Sequence, residues 1–286
     1  MGIIYAIISA FGYSINHIIN KFILNYLNTW NTVFFTSFFV AFLLFLFFLF
    51  SGEQFSSLGL EEFLIWVIAS ITGFVALWSL FRSFEFISIG ESIAIANIFP
   101  FLIVLFVFLS YQEGVGLFHL IGMSLVFFGI FLISKQDGSF KISLDTKYAF
   151  ITAIGWAFYN FAIDYFVRSG FSILQVSLMF EVGVFLSSLL YILFNFGLPL
   201  QSIRNVFLNQ KLLLLCFLSG LSTAAGTYFT VLAMSYIPVS IVGSIVSSQV
   251  VFSALLGYFV LSQKLSYLKL TGILIVFVGL VLYNFI

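Results

Sequence analysis

The chain has 286 residues, 63% of them hydrophobic and 7% charged, with ten basic and ten acidic side chains and no net charge. An ordinary soluble domain is roughly 25% charged, and so few charges cannot cover a water-facing surface of this size, so the outer solvent is lipid and the chain is a polytopic membrane protein. Its basic residues are scattered singly, which excludes nucleic acid as a partner, and the single cysteine, Cys216, reads as a small core residue rather than part of a disulfide or a metal site.

Apolar stretches near the roughly 20 residues needed to cross a bilayer run, in chain order, over Gly2 to Phe22, Asn31 to Phe50, Phe63 to Phe84, Gly90 to Ser110 and Leu117 to Ser134. Tyr148 to Val167, Ile173 to Phe196, Leu212 to Met234, Val239 to Leu261 and Leu268 to Phe285 follow, so the pattern predicts an all-α protein of ten transmembrane helices. The first stretch lacks a basic flank and carries Tyr13, Asn16, His17 and Asn20, so it reads as a span and not as a signal peptide. Short loops with turn residues and charges join the stretches and leave no room for a soluble domain.

Laying Tyr5–Phe22 over Tyr148–Tyr165 pairs Tyr5 with Tyr148, Ala6 with Ala149, Ala10 with Ala153 and Gly12 with Gly155. Laying Leu120–Leu132 over Leu270–Leu282 pairs Gly122 with Gly272 and Gly129 with Gly279. The chain therefore reads as a duplicated five-helix unit, residues 1–140 and 141–286, and because five is odd the second copy is inverted in the membrane, a transporter signature. Nine of the ten basic residues (Lys21, Arg82, Lys135, Lys141, Lys147, Arg204, Lys211, Lys264 and Lys269) fall on one face and only Arg168 on the other. Taken as the cytoplasmic side, the richer face puts both termini outside.

In the first helix Ser9, Tyr13, Asn16 and Asn20 recur on one side with His17 and Lys21 adjoining, a polar face that cannot meet lipid. It either glues helices together or lines a water-filled cavity. Helix nine repeats the arrangement with Ser240, Ser244, Ser247, Ser248 and Gln249, and helix four carries Asn97 before Pro100, where a proline frees a carbonyl and kinks the span. In helix eight the small run Ser219–Thr227 reads as close packing, with Tyr228 a candidate cavity residue. Aromatic side chains at Tyr13, Trp78, Trp156 and Tyr159 offer faces to a cation, and Asn160 stands where the first helix has His17.

Charges within spans need a partner, water or an interface. Glu181 lies deepest, about 12 Å into helix seven at 1.5 Å per residue, and reads either as a protonated structural carboxyl or as a proton-coupling or cation site. Lys21, Arg82, Glu85 and Glu91 at one face, and Asp164 and Arg168 at the other, read as gates or as surface anchors. The histidines His17 and His119 make no HExxH site, and no GxSxG, GxGD or P-loop is present, so the sequence predicts no enzyme, no ATP, no cofactor and no metal.

The duplicated unit, Trp156-Ala157-x-Tyr159, Glu113 after helix four and Leu-x-Gly-x6-Gly in helices five and ten resemble the drug/metabolite transporter superfamily, closest to its ten-helix EamA-type members. The chain departs from that pattern at Phe11-Gly12, where Trp-Gly is usual, and at Gln249-Val250, where Glu-Pro is usual, although the matching proline is present in helix four as Pro100. The resemblance implies an alternating-access carrier with a cavity formed by helices one, three, four, six, eight and nine, and termini in the cytoplasm, opposite to the charge count. The function expected is secondary transport of small polar metabolites across the cell membrane, an amino acid or related exporter driven by its own gradient or by protons. A drug or quaternary-cation exporter and an intramembrane enzyme or lipid-handling scaffold are the alternatives. The partners expected are a small-molecule substrate and membrane lipid.

Overall fold

The computed structural model describes residues 1–87, 89–111, 116–134, 146–197, 199–261 and 266–283. These residues form α1 (Gly2–Ile23), α2 (Thr29–Ser51), α3 (Leu60–Phe86), α4 (Ile89–Ala96), α5 (Phe99–Tyr111), α6 (Leu117–Ser134) and α7 (Lys147–Arg168). The series continues with α8 (Ile173–Phe196), α9 (Leu200–Leu208), α10 (Gln210–Met234), α11 (Val239–Val246), α12 (Gln249–Leu261) and α13 (Tyr267–Tyr283). Seven stretches are long and apolar enough to cross a membrane, and Phe99–Tyr111, Leu120–Gly129 and Leu270–Gly279 are shorter apolar helices. Several starts are fixed by side-chain caps, which satisfy an amide left without a helical partner. Asn28 accepts from Asn31 N at 2.9 Å before α2, and Ser172 accepts from Gln175 N at 3.2 Å before α8.

Two stretches expected to be continuous are each split in two. Between α4 and α5 the chain turns at Asn97 and Ile98, where Asn97 Nδ2 donates to Ile93 O at 2.6 Å and Pro100 supplies no amide to the ladder. Between α11 and α12 it turns at Ser247 and Ser248 without a proline. There Ser244 and Ser247 turn their hydroxyls back onto Ser240 O (3.0 Å) and Gly243 O (2.9 Å), a bond that competes with the ladder and bends helices.

The connection after α8, read from the sequence as a loop, instead contains α9. Nine residues are too few to cross a bilayer, and Gln201, Arg204 and Asn205 interrupt the apolar run that marks a span. α9 buries Val206, leaves Leu200, Phe207 and Leu208 exposed, and is tied to α2 by Asn31 Nδ2 donating to Ser202 Oγ at 2.8 Å.

Glycine sets the closest helix crossings. A Cβ on Gly129 of α6 would stand 2.6 Å from Gly272 O of α13, and one on Gly279 would stand 2.8 Å from Gly122 O. Because 122 meets 279 and 129 meets 272, the two helices run antiparallel and present the same face to each other. The α1–α10 and α7–α3 pairs repeat a second crossing. A Cβ on Gly12 would meet Ser222 O at 3.0 Å, and one on Gly155 would meet Thr72 O at 2.9 Å. Small residues of this kind let helices approach where lipid supplies no hydrophobic drive between them.

Gly129→Ala is expected to destabilise the protein by about 1–3 kcal/mol, as overpacking against a rigid backbone does. At Gly243 an added Cβ meets nothing closer than 3.4 Å, so Gly243→Ala should leave thermal unfolding unchanged or raise its midpoint. Equal midpoints for the two variants in detergent would refute this account of the α6–α13 contact.

Candidate functional site

A cavity of about 90 Å3 lies where α1, α3, α7, α8 and α10 meet the breaks of the split helices. It has room for on the order of seven waters. Its polar wall comes from α1 and α10, with Tyr13, Asn16 and His17 facing Thr223, Thr227 and Thr230. The opposite wall comes from α3 and α7, with Gly73 and Leu77 beside Trp156, Tyr159, Asn160 and Ile163. Phe99 and Gln249, the first residues of α5 and α12, and Glu181 and Val184 of α8 complete the lining with Val246.

Positions equivalent in the two halves face one another here. Tyr13 and Trp156, Asn16 and Tyr159, and His17 and Asn160 correspond in the alignment of α1 with α7. By the matching glycine crossings, Gly73 corresponds to Thr223 and Leu77 to Thr227. The α1–α10 wall is therefore richer in hydroxyls and the α3–α7 wall in ring and aliphatic surface, although each carries one tyrosine and one asparagine. Two further glycines admit the tyrosine rings: a Cβ on Gly226 would lie 2.9 Å from the Tyr13 ring and one on Gly73 2.6 Å from the Tyr159 ring.

Two hydrogen-bond chains organise the polar groups. In the first, Asn97 Nδ2 is spent on Ile93 O, so Asn97 Oδ1 accepts from Gln249 Nε2 at 2.9 Å. Gln249 Oε1 then faces His17 Nε2 at 3.1 Å, which assigns the imidazole proton to Nε2 and leaves Nδ1 as a buried acceptor with no partner among the described residues. Ser14 Oγ adds a bond to Gln249 O at 3.0 Å, so both helix breaks and α1 are joined through one glutamine. In the second, Thr227 Oγ1 donates to Glu181 Oε1 at 2.6 Å and, its only proton spent, accepts from Tyr13 OH at 3.2 Å.

Of the side chains singled out in the sequence, Tyr13, Asn16, His17, Trp156, Tyr159, Asn160, Glu181 and Gln249 line this cavity. Five others do not. Asn97 is buried behind it and holds Gln249, while Ser244 and Ser247 bond back to their own helix. Trp78 stacks on Trp30 at 4.5 Å, outside the lining. Tyr228 packs edge-on against Phe47 at 5.6 Å, because a neighbour one position from Thr227 points about 100° away around the helix. The threonines of α10 were missed because their run reads as packing residues. Their spacing of four and three is nevertheless that of one helical face.

At the end where α1 and α3 finish, Lys21 Nζ donates to Phe84 O at 2.6 Å. Glu85 is already engaged by Thr29 and Arg82, and Arg82 lies over the Phe86 ring at 4.8 Å. The side chains of Glu91 and His119, and Glu113, lie outside the described residues. At the opposite end Asp164 is buried against Arg168 Nε at 2.6 Å, with the guanidinium 4.4 Å over Tyr111.

A model of the EamA-like transporter family matches residues 1–135 and again residues 147–285. No curated protein matches the sequence. Among solved structures, a protein known from its crystal structure superposes with a TM-score of 0.73 over 97% of this chain and 96% of that one, at 18% identity. At that identity the likeness shows a common fold. With apolar helices able to cross a membrane and the family pattern present twice along almost its whole length, this integral membrane protein belongs to the EamA-like transporter family.

Proposed function

We propose that the protein is a secondary carrier of small polar metabolites in the cell membrane, working by alternating access. It is built from two inverted five-helix repeats, residues 1–140 and 141–286. The ten spans of this reading count α4 with α5 and α11 with α12 as one span each, and leave α9 on the surface. The observation that carries it is the cavity at the helix breaks, lined by equivalent positions of both halves. A site on such an axis is reached from either face by the same rocking motion of one repeat against the other.

Lys21 and Asp164 occupy equivalent positions and close opposite ends, Lys21 on Phe84 O and Asp164 on Arg168. In this reading they are the two gates, and the Asn97–Gln249–His17 chain keeps the broken helices in step. Saturable uptake into proteoliposomes with counterflow, using solutes from an amino acid, amine and organic-cation panel that stabilise the purified protein, tests the carrier. Turnover of a solute without flux would instead support an intramembrane enzyme.

Glu181 is the candidate coupling group. It is 7% exposed and bonded to Thr227, and among the described residues no lysine or arginine lines the cavity. The titratable groups sharing the lining with it are Tyr13 and His17 from α1 and Tyr159 from α7. Burying an ionised carboxyl without a cation costs far more than burying its protonated form, so proton binding and release at this group can be tied to opening of the two faces. In Glu181→Gln, flux driven by an imposed pH gradient should vanish while counterflow persists at saturating solute. Full pH-driven flux in the variant would remove Glu181 from the coupling role.

Gln249→Leu should orphan His17 Nε2–H and Asn97 Oδ1 together, and leaving a buried polar group unpaired costs about 1–3 kcal/mol. A drop in thermal midpoint with Gln249→Leu and a smaller one with Gln249→Glu is expected, since the carboxylate still accepts from His17. An unchanged midpoint in Gln249→Leu would show that the amide does not brace the helix breaks.

A further inference from the structure

We propose that the central cavity selects a primary-amine monocation carrying a flat apolar body, an arylalkylamine in chemical class, and discriminates against carboxylates. The inference rests on the carrier reading only in taking this cavity as the substrate site.

The argument is a tally of which polar atoms remain available after the protein's own bonds are made. Both protons of Asn16 Nδ2 go to Ser219, one to its carbonyl at 3.2 Å and one to its hydroxyl at 2.8 Å, so Asn16 offers the cavity its Oδ1. One Asn160 Nδ2 proton bonds Trp156 O at 2.8 Å, which leaves Asn160 Oδ1 and one N–H. His17 Nε2–H is held by Gln249 and its Nδ1 is buried with no partner among the described residues, while Gln249 has engaged its Oε1 and one of its two Nε2 protons. Tyr13 and Thr227 have passed their protons along to Glu181, whose carboxyl faces the same space. The lining therefore presents two amide oxygens and a carboxyl, beside one amide proton each on Asn160 and Gln249. Among the described residues it holds no lysine or arginine, so nothing in it carries a fixed positive charge to meet an anion.

Half-helix N-termini could in principle hold an anion, as the first amides of a helix carry partial positive charge. Here several of those amides are taken up by the connecting turns. At α12, Val250 N and Val251 N bond Ser247 O and Ser248 O at 3.2 and 2.9 Å, and Phe252 N bonds Ser248 O at 3.4 Å. At α5, Pro100 has no N–H and Phe101 N bonds Ile98 O at 3.1 Å. The cations at the two ends are likewise occupied, Lys21 on Phe84 O and Arg168 on Asp164. A carboxylate entering the cavity would leave water for a surface of acceptors, an uncompensated charge burial.

An ammonium group, with three N–H donors and no acceptor, meets the complement of that surface. Its charge is balanced by Glu181, and its donors can reach the acceptors around it. The apolar part then lies against the second wall, where Trp156 stands edge-on to Phe99 at 5.9 Å and Tyr159 edge-on to Phe180 at 5.4 Å. An amino acid, by contrast, would bring a carboxylate for which the lining has no fixed cation.

The test is titration calorimetry of the purified full-length protein in detergent with phenethylamine, phenylalanine, 3-phenylpropionate and 2-phenylethanol, which share one ring and chain length. Phenethylamine should bind at least tenfold more tightly than each of the other three in the wild-type protein, a comparison that needs no variant to fold. In Glu181→Gln the advantage of phenethylamine over 2-phenylethanol should fall to within about threefold, with the binding of the alcohol as evidence that the cavity is intact. Equal or tighter binding of phenylalanine or 3-phenylpropionate, no binding of phenethylamine, or an unchanged amine preference in Glu181→Gln would each overturn the proposal. The two readings fail separately. Phenylalanine flux without phenethylamine binding sinks the amine proposal and leaves the carrier, whereas phenethylamine binding with no flux of any solute sinks the carrier alone.

Discussion

In hydrocarbon every backbone polar group must be satisfied within the protein, and the central region of this molecule follows from how that requirement is met where two helices are broken. At the α4–α5 and α11–α12 breaks the chain turns, and side chains add bonds to those of the backbone: Asn97 Nδ2 joins its own amide on Ile93 O, Ser247 Oγ joins its own amide on Gly243 O, and Ser14 Oγ reaches Gln249 O. The Asn97–Gln249 bond joins the two breaks, and His17 joins both to α1. Interrupted backbone at membrane depth is tolerated only against protein or a cavity, and here it has both.

Close approach of helices supplies the second condition. Gly129 with Gly272 and Gly122 with Gly279 allow equivalent helices to cross antiparallel, and Gly12 and Gly155 repeat a second crossing in each half. Such packing brings matching positions of α1 and α7 to opposite sides of one space. Their residues have diverged, however, so a scaffold of equivalent helices encloses an asymmetric lining, richer in hydroxyls on one side and in ring and aliphatic surface on the other.

Charge is used sparingly and in separated places. Glu181 is the carboxyl of the cavity, while Lys21, Arg82, Glu85, Asp164 and Arg168 are engaged near the ends of their helices. A lone carboxyl among hydroxyls and amide oxygens is a demanding arrangement in low dielectric, and it gives that group leverage over whatever enters beside it.

The sequence by itself determined the solvent of the protein, the helical class and the duplication, because hydropathy and the recurrence of Gly12/Gly155 and Gly122/Gly272 are properties of the chain read locally. It also marked eight of the cavity side chains, since a polar face on an apolar helix must be explained by something inside the bundle. What the tertiary structure alone decided was which neighbours meet. Thr227 rather than Tyr228 reaches Glu181, Asn97 braces the lining instead of joining it, Lys21 settles on a backbone carbonyl, and α11 breaks from α12 without a proline. Each of these depends on helix rotation and on partners more than a hundred residues or several helices away, and a period of 3.6 residues turns an error of one position into about 100° of direction.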